Sequence, residues 1–97
     1  MSGFRFEWDK QKAEINEDKH GVSFEDAMTV FDDKNAITIY DEHNSNDEDR
    51  FNIIGFSEDS NVLKVCHCYR NGDQVIRIIS ARIAKKKEAD LYWRRLR

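Results

Sequence analysis

The stretch "VIRIISARIAKKKEA" (75–89) decides the fold, because it holds both the end of a sheet and the start of a terminal helix. Residues 75–80 are apolar and β-branched apart from Arg77 and Ser80, which predicts a strand over 74–80. Alternation puts Arg77 on the face opposite Ile76 and Ile78. Ser80 can cap a helix running from about Ala81 to Arg95, with Arg82 in its first turn and Lys85, Lys86 and Lys87 in the next. Cations at that end oppose the helix dipole and cost on the order of 0.3–1 kcal/mol each when exposed. They need an anion: an internal carboxylate such as Glu48, or a bound phosphate, which a helix N-terminus with nearby arginines favours.

Upstream, "NG" at 71–72 is a strong hairpin signal. A two-residue turn there pairs Tyr69 with Gln74, Cys66 with Arg77 and Val65 with Ile78. Leu63, Val65, Ile76 and Ile78 then form a core face. Lys64, Cys66, Cys68, Arg70, Val75, Arg77 and Ile79 share the other, polar face. Strands are also predicted over 36–42, 50–57 and 62–70, and a short one in "GFRFEW" (3–8). Asp9 caps a helix over about 10–20 that Gly21 closes in the left-handed conformation. In "VSFEDAMTVF" (22–31), Ser23 is an N-cap, Val22 can staple against Ala27, and Phe24, Ala27, Met28 and Phe31 form an apolar stripe. The sum is an α+β domain over 1–97: two N-terminal helices, an antiparallel four-to-five-stranded meander and a C-terminal helix. Asn16, mid-helix, has no partner that the sequence identifies.

Ninety-seven residues support one modest core. No apolar run approaches a membrane span, and "MSGFRFEWDK" lacks the apolar stretch of a signal peptide, so a soluble cytoplasmic protein is expected. The net charge of −3 hides a segregation: residues 1–60 hold 6 Lys/Arg against 16 Asp/Glu, whereas residues 61–97 hold 10 against 3. The C-terminal third can therefore present a positive surface to phosphates. "CHC" at 66–68 is no metal site, because alternation sends His67 to the face opposite Cys66 and Cys68. The two cysteines, about 6.6 Å apart between alpha carbons on one strand, are expected to be free thiols.

No nucleotide-binding glycine motif, metal-ligand spacing or nucleophile elbow is present, so any catalysis falls to Arg, His, Glu, Lys or Tyr, with no cofactor. Arg70, Arg77 and Arg82 are the candidate phosphate clamp. The plain alternative for each is an ordinary salt bridge. The acidic loop "DEHNSNDEDR" (41–50) adds His43 and Glu48 as proton-transfer candidates. Arg50, Lys85 and Lys86 are further candidate cations for binding a phosphate-bearing ligand. Glu48 can equally pair with Arg50 or Arg82. His20, near a helix C-terminus, is expected to be dipole-stabilised and structural, and His67 to be an interior residue.

"FEWDKQKAEINEDKHGVSFEDAMTVF" (6–31) and "VIRIISARIAKKKEADLYW" (75–93) resemble the two signatures of the BrnT toxins, and Ser45, Glu48, Arg50 and Gly55 between them match the family's pattern. The chain departs from it at Asp33-Lys34 (usually Asp-Pro), at Asn44 (often His or Arg) and at Ser60-Asn61 (commonly Gly-Arg). The resemblance implies a RelE-like fold, a metal-free endoribonuclease that arrests translation, and RNA as the phosphate-bearing ligand of Arg50, Lys85 and Lys86. It also implies a BrnA-like ribbon-helix-helix antitoxin, a dimer or 2:2 complex with it, and contact with operator DNA only through that antitoxin. A non-catalytic antitoxin-binding module acting in operon autoregulation is the alternative.

Overall fold

A computed structural model describes residues 4–96. In chain order they form β1 (Arg5–Glu7), α1 (Lys10–His20), α2 (Phe24–Thr29), β2 (Ile37–Tyr40), β3 (Phe51–Phe56), β4 (Val62–Arg70), β5 (Val75–Ile83) and α3 (Lys86–Arg95). One five-stranded sheet has the order β1-β5-β4-β3-β2. The last four strands make the expected antiparallel meander, but β1 lies parallel to β5, so the sheet is mixed. A strand that reaches the sheet edge after two intervening helices and three strands can take either direction, and alternation does not encode which. Gly3, where that strand was expected to begin, lies outside the described residues.

The N-terminal helices follow the sequence. The Asp9 carboxylate accepts from the Lys12 N–H, and Gly21 closes α1 at φ 69°. Ser23 accepts from the Asp26 N–H, and α2 tightens into a 3-10 turn at Val30–Asp32. Val22, Phe24, Ala27 and Val30 bury against one sheet face made by Ile53, Leu63, Val65, Ile76, Ile78 and Ala81. His67 is fully buried on that face, among Phe31, Phe51 and Tyr69.

Two expectations fail around the hairpin. The turn spans 71–74, with Asn71, Gly72 and Asp73 all at positive φ, so Arg70 pairs with Val75 and Cys68 with Arg77. A slip of two residues preserves which face each side chain occupies, so the core face is as expected. A bulge follows: His67 pairs with Ile78 but Cys66 with Ser80, leaving Ile79 extra. The second change is larger. β5 continues to Ile83, and α3 begins at Lys86, not Ala81. Ser80 and Arg82 are strand residues, and Ser80 caps nothing. The nine residues of β4 need a partner of equal length, which overrides the local helix propensity of "SARIAKK".

On the second sheet face, α3 lies across β3 and β4, burying Ile54 and stacking Trp93 edge-on to Phe56. The Asp33 carboxylate ties the layers together, accepting from the Tyr92 hydroxyl at 2.6 Å and from the Phe56 N–H at 2.8 Å. Among the described residues no helix is long and apolar enough to cross a membrane.

Candidate functional site

The rest of the second face is open, and the ladder fixes what stands on it. Asn52, Cys66 and Ser80 form one row across β3, β4 and β5; Ile54, Lys64 and Arg82 form the next. The bulge at Ile79 restores Ser80 and Arg82 to this face after Arg77. The first row floors a cleft of about 290 Å³, walled by Lys64 and Arg82 on the α3 side, Arg50, Asp41 and Asn44 from the β2–β3 connection, and His20 at the end of α1.

Four basic side chains thus meet in one cleft. Arg82 is anchored: its Nη1 and Nη2 donate to Glu88 Oε1 and Oε2 at 2.8 and 3.0 Å. Lys64 Nζ lies 3.5 Å from the same carboxylate, and the Lys85 N–H donates to it at 2.8 Å. Burial alone would raise the Glu88 pKa, but the hydrogen bonds from Arg82 and Lys85 and the charges of Arg82 and Lys64 outweigh it and hold it at about 2. Arg50 differs. Its Nε is buried without a hydrogen-bond partner, and among the described residues no carboxylate pairs with it. The fold holds its backbone instead: the N–H donates to Ser45 Oγ and the carbonyl accepts from Asp41. Asp41, whose pKa is lowered chiefly by the Asn44 amide, is the one carboxylate lining the cleft.

The anion awaited by the cations of 75–89 is, for Arg82, internal; it is Glu88 and not Glu48. Glu48 pairs with Arg70 at 3.1 Å, and Arg77 pairs with Glu7 on the parallel strand at 2.7 Å. Arg70 and Arg77 share the open face near the 71–74 turn, while Arg82 stands at the other end of β5. The three arginines therefore lie along one face without converging on one point. Lys85 and Lys86 are exposed at the start of α3, and His43 is exposed in a 3-10 turn at Glu42–Asn44, of which Asn44 but not His43 lines the cleft. Cys66 and Cys68 are free, and burial raises both thiol pKa values. Among the described residues no three His, Cys, Asp or Glu side chains gather as metal ligands would.

Sequence reasoning missed Lys64 and His20 as site residues. Lys64 carried a signal: it is the lone cation in the apolar strand "VLKVCHC", on the polar face. His20 is adjacent to the helix-closing Gly21, and nothing local says that the closing turn abuts the far end of β5.

A family model described as "Ribonuclease toxin, BrnT, of type II toxin-antitoxin system" matches residues 8–88. Among solved structures, the 1.1 Å crystal structure of the Brucella abortus ribonuclease toxin BrnT is similar, with a TM-score of 0.65 at 22% identity, over 86% of this chain and 99% of that one. No curated protein sequence matches. A mixed five-stranded sheet shared with a BrnT structure and a family match across both sequence signatures lead to one conclusion: the chain belongs to the BrnT family of type II toxin–antitoxin ribonuclease toxins.

Proposed function

We propose that this chain is a metal-independent endoribonuclease whose reacting phosphate sits in the cleft of Arg50, Lys64 and Arg82. The observation that carries the reading is the buried, unpartnered guanidinium Nε of Arg50 beside two further cations. A buried donor without an acceptor is costly unless a ligand supplies one, and a phosphate oxygen is the acceptor that fits a guanidinium. The three cations stabilise the charge that develops on the phosphate as the ribose 2′-oxygen attacks it. Glu88 holds Arg82 in place, and Lys64 protonates the departing 5′-oxygen. Arg70 and Arg77 guide the flanking RNA along the same face, exchanging Glu48 and Glu7 for phosphates. Lys85 and Lys86 extend that track. His43 has no role in this arrangement. Metal-free chemistry is supported by the donor set, in which cations and not clustered carboxylates surround the cleft.

The partner that restrains this activity is proposed to be a ribbon-helix-helix antitoxin, in a dimer or 2:2 complex that touches operator DNA only through it, in the cytoplasm. Leu91, Trp93 and Leu96, each more than 40% exposed at the end of α3, are apolar surface that such a partner would cover. The non-catalytic alternative draws on one observation: Arg70, Arg77 and Arg82 are each already satisfied by a carboxylate. One experiment separates the readings. Purified protein is incubated with RNA in EDTA, beside an Arg50→Ala variant. Cleavage by the wild type, reduced by about 10²-fold or more in the variant, is expected from the loss of one transition-state donor. RNA left intact by the wild type, alone and in a translating extract, removes the ribonuclease reading in favour of the binding module.

A further inference from the structure

We infer that His20 is the proton-accepting group of the cleft and that Asn16 is the residue that holds it there; this rests on the ribonuclease reading above. Asn16 is buried in α1, and its amide is saturated by backbone: Nδ2 donates to the Ala81 carbonyl at 2.8 Å and to the Val22 carbonyl at 3.0 Å, while Oδ1 accepts from the Ala81 N–H at 3.1 Å. β1 covers the outer edge of β5 only along Val75–Arg77, so Ala81 lies on an edge that no strand completes. The Asn16 amide takes the place of that strand. It pins α1 to β5 at the segment that follows the Ile79 bulge.

His20 lies four residues after Asn16, on the same side of the helix one turn on. That turn carries it to the mouth of the cleft, beside Ile79, Ser80 and Ala81 and in the same cavity as Arg82. Among the described residues its imidazole has no hydrogen-bond or ion-pair partner, so no structural bond occupies it. Imidazole is the side chain that exchanges protons near neutrality, and the charged groups facing the cleft are Arg50, Lys64, Arg82 and Asp41.

The step balances without a co-reactant. The His20 imidazole takes the ribose 2′-OH proton, the 2′-oxygen bonds to phosphorus, and the phosphorus–5′-oxygen bond breaks. The 5′-oxygen takes a proton from the Lys64 ammonium, giving a 2′,3′-cyclic phosphate and a 5′-hydroxyl end. Water then returns the protons.

The test uses the whole chain with a short RNA, comparing wild type, His20→Gln, His20→Ala and Asn16→Asp. His20→Gln keeps size and polarity and is expected to lower kcat by roughly 10²–10⁴-fold, the span of one acid–base group, and to erase the acidic limb of the pH–rate profile. Added imidazole should restore turnover in His20→Ala. Asn16→Asp loses both amide donors; kcat should fall with KM within about twofold while the acidic limb persists, and imidazole should rescue it too, which a merely structural role would not produce. Circular dichroism and thermal melting confirm that each variant is folded. His20→Gln cleaving at the wild-type rate, or His20→Ala not answering to imidazole, overturns the role of His20 while leaving the ribonuclease reading intact. An inactive wild type removes both.

Discussion

Glu88 accepts two bonds from Arg82, one from the Lys85 N–H, and faces Lys64, all from a half-buried position. Its carboxyl is held at about 2 against an ordinary 4.5. A depressed carboxylate stabilises the fold above its unfolded pKa and loses that contribution as pH falls toward its folded one. Glu88→Gln should therefore cost up to about 3 kcal/mol at pH 7, from a fall of about 2.5 in pKa at the usual 1.36 kcal/mol per pKa unit. Urea titrations should show the gap to wild type closing between pH about 4.5 and 2. His67 works with the opposite protonation. Burial lowers its pKa from 6.5, with the Val65 carbonyl contact only partly offsetting this. The unfolded chain binds that proton more readily, so wild-type stability should decline as pH drops below about 6.5. His67→Phe should flatten that slope in the same titration. At this scale much was legible: His67 as interior, Arg77 off the core face, the cysteines as free thiols. Partners were not. Asn16, Arg82 and Arg50 each depend on residues that only the folded chain brings close, as with the 65 positions separating Asn16 from Ala81.

Strand existence was legible from β-branched runs, and helix ends from Asp9, Gly21 and Ser23, because each is a short-range signal. The start of α3 was not, since "SARIA" has helix-forming residues and a plausible cap, and only the length of β4 shows that β5 must continue. The bulge at Ile79 was equally hidden. A one-residue insertion leaves local composition unchanged while moving every later side chain to the other face. β3 carries a constraint that a sequence pattern shows only as a glycine. A β-carbon at Gly55 would lie 2.8 Å from Val30 Cγ1 and 2.9 Å from the Ala36 β-carbon. Gly55→Ala should thus push α2's end and the following loop off the sheet, costing about 1–3 kcal/mol as overpacking does. A lowered melting temperature with an unchanged far-UV spectrum is the expected outcome.

Across the whole molecule, the charge segregation seen in the sequence becomes a distribution over surfaces. Arg50, Lys64, Arg82, Arg70 and Arg77 stand on the second sheet face, while the opposite face is closed by α1 and α2. RNA held by about three phosphate contacts on single-stranded substrate should show a log–log salt slope near −2. Binding measured from 50 to 300 mM salt checks this; a slope near zero means that the cations do not meet phosphate. The parallel pairing of β1 with β5 has a further consequence, one of timing. Glu7 and Arg77 are 70 positions apart, and Ser80, Arg82 and Glu88 come later still. A nascent chain that has emerged only through residue 74 has an unpaired first strand, no second wall and no anchor for Arg82. Because synthesis delivers the N-terminal parts first, Arg50 and Lys64 are made before the strand and helix that bring Arg82 and Glu88 to them, and the cationic cleft is complete only once β5 and α3 have folded.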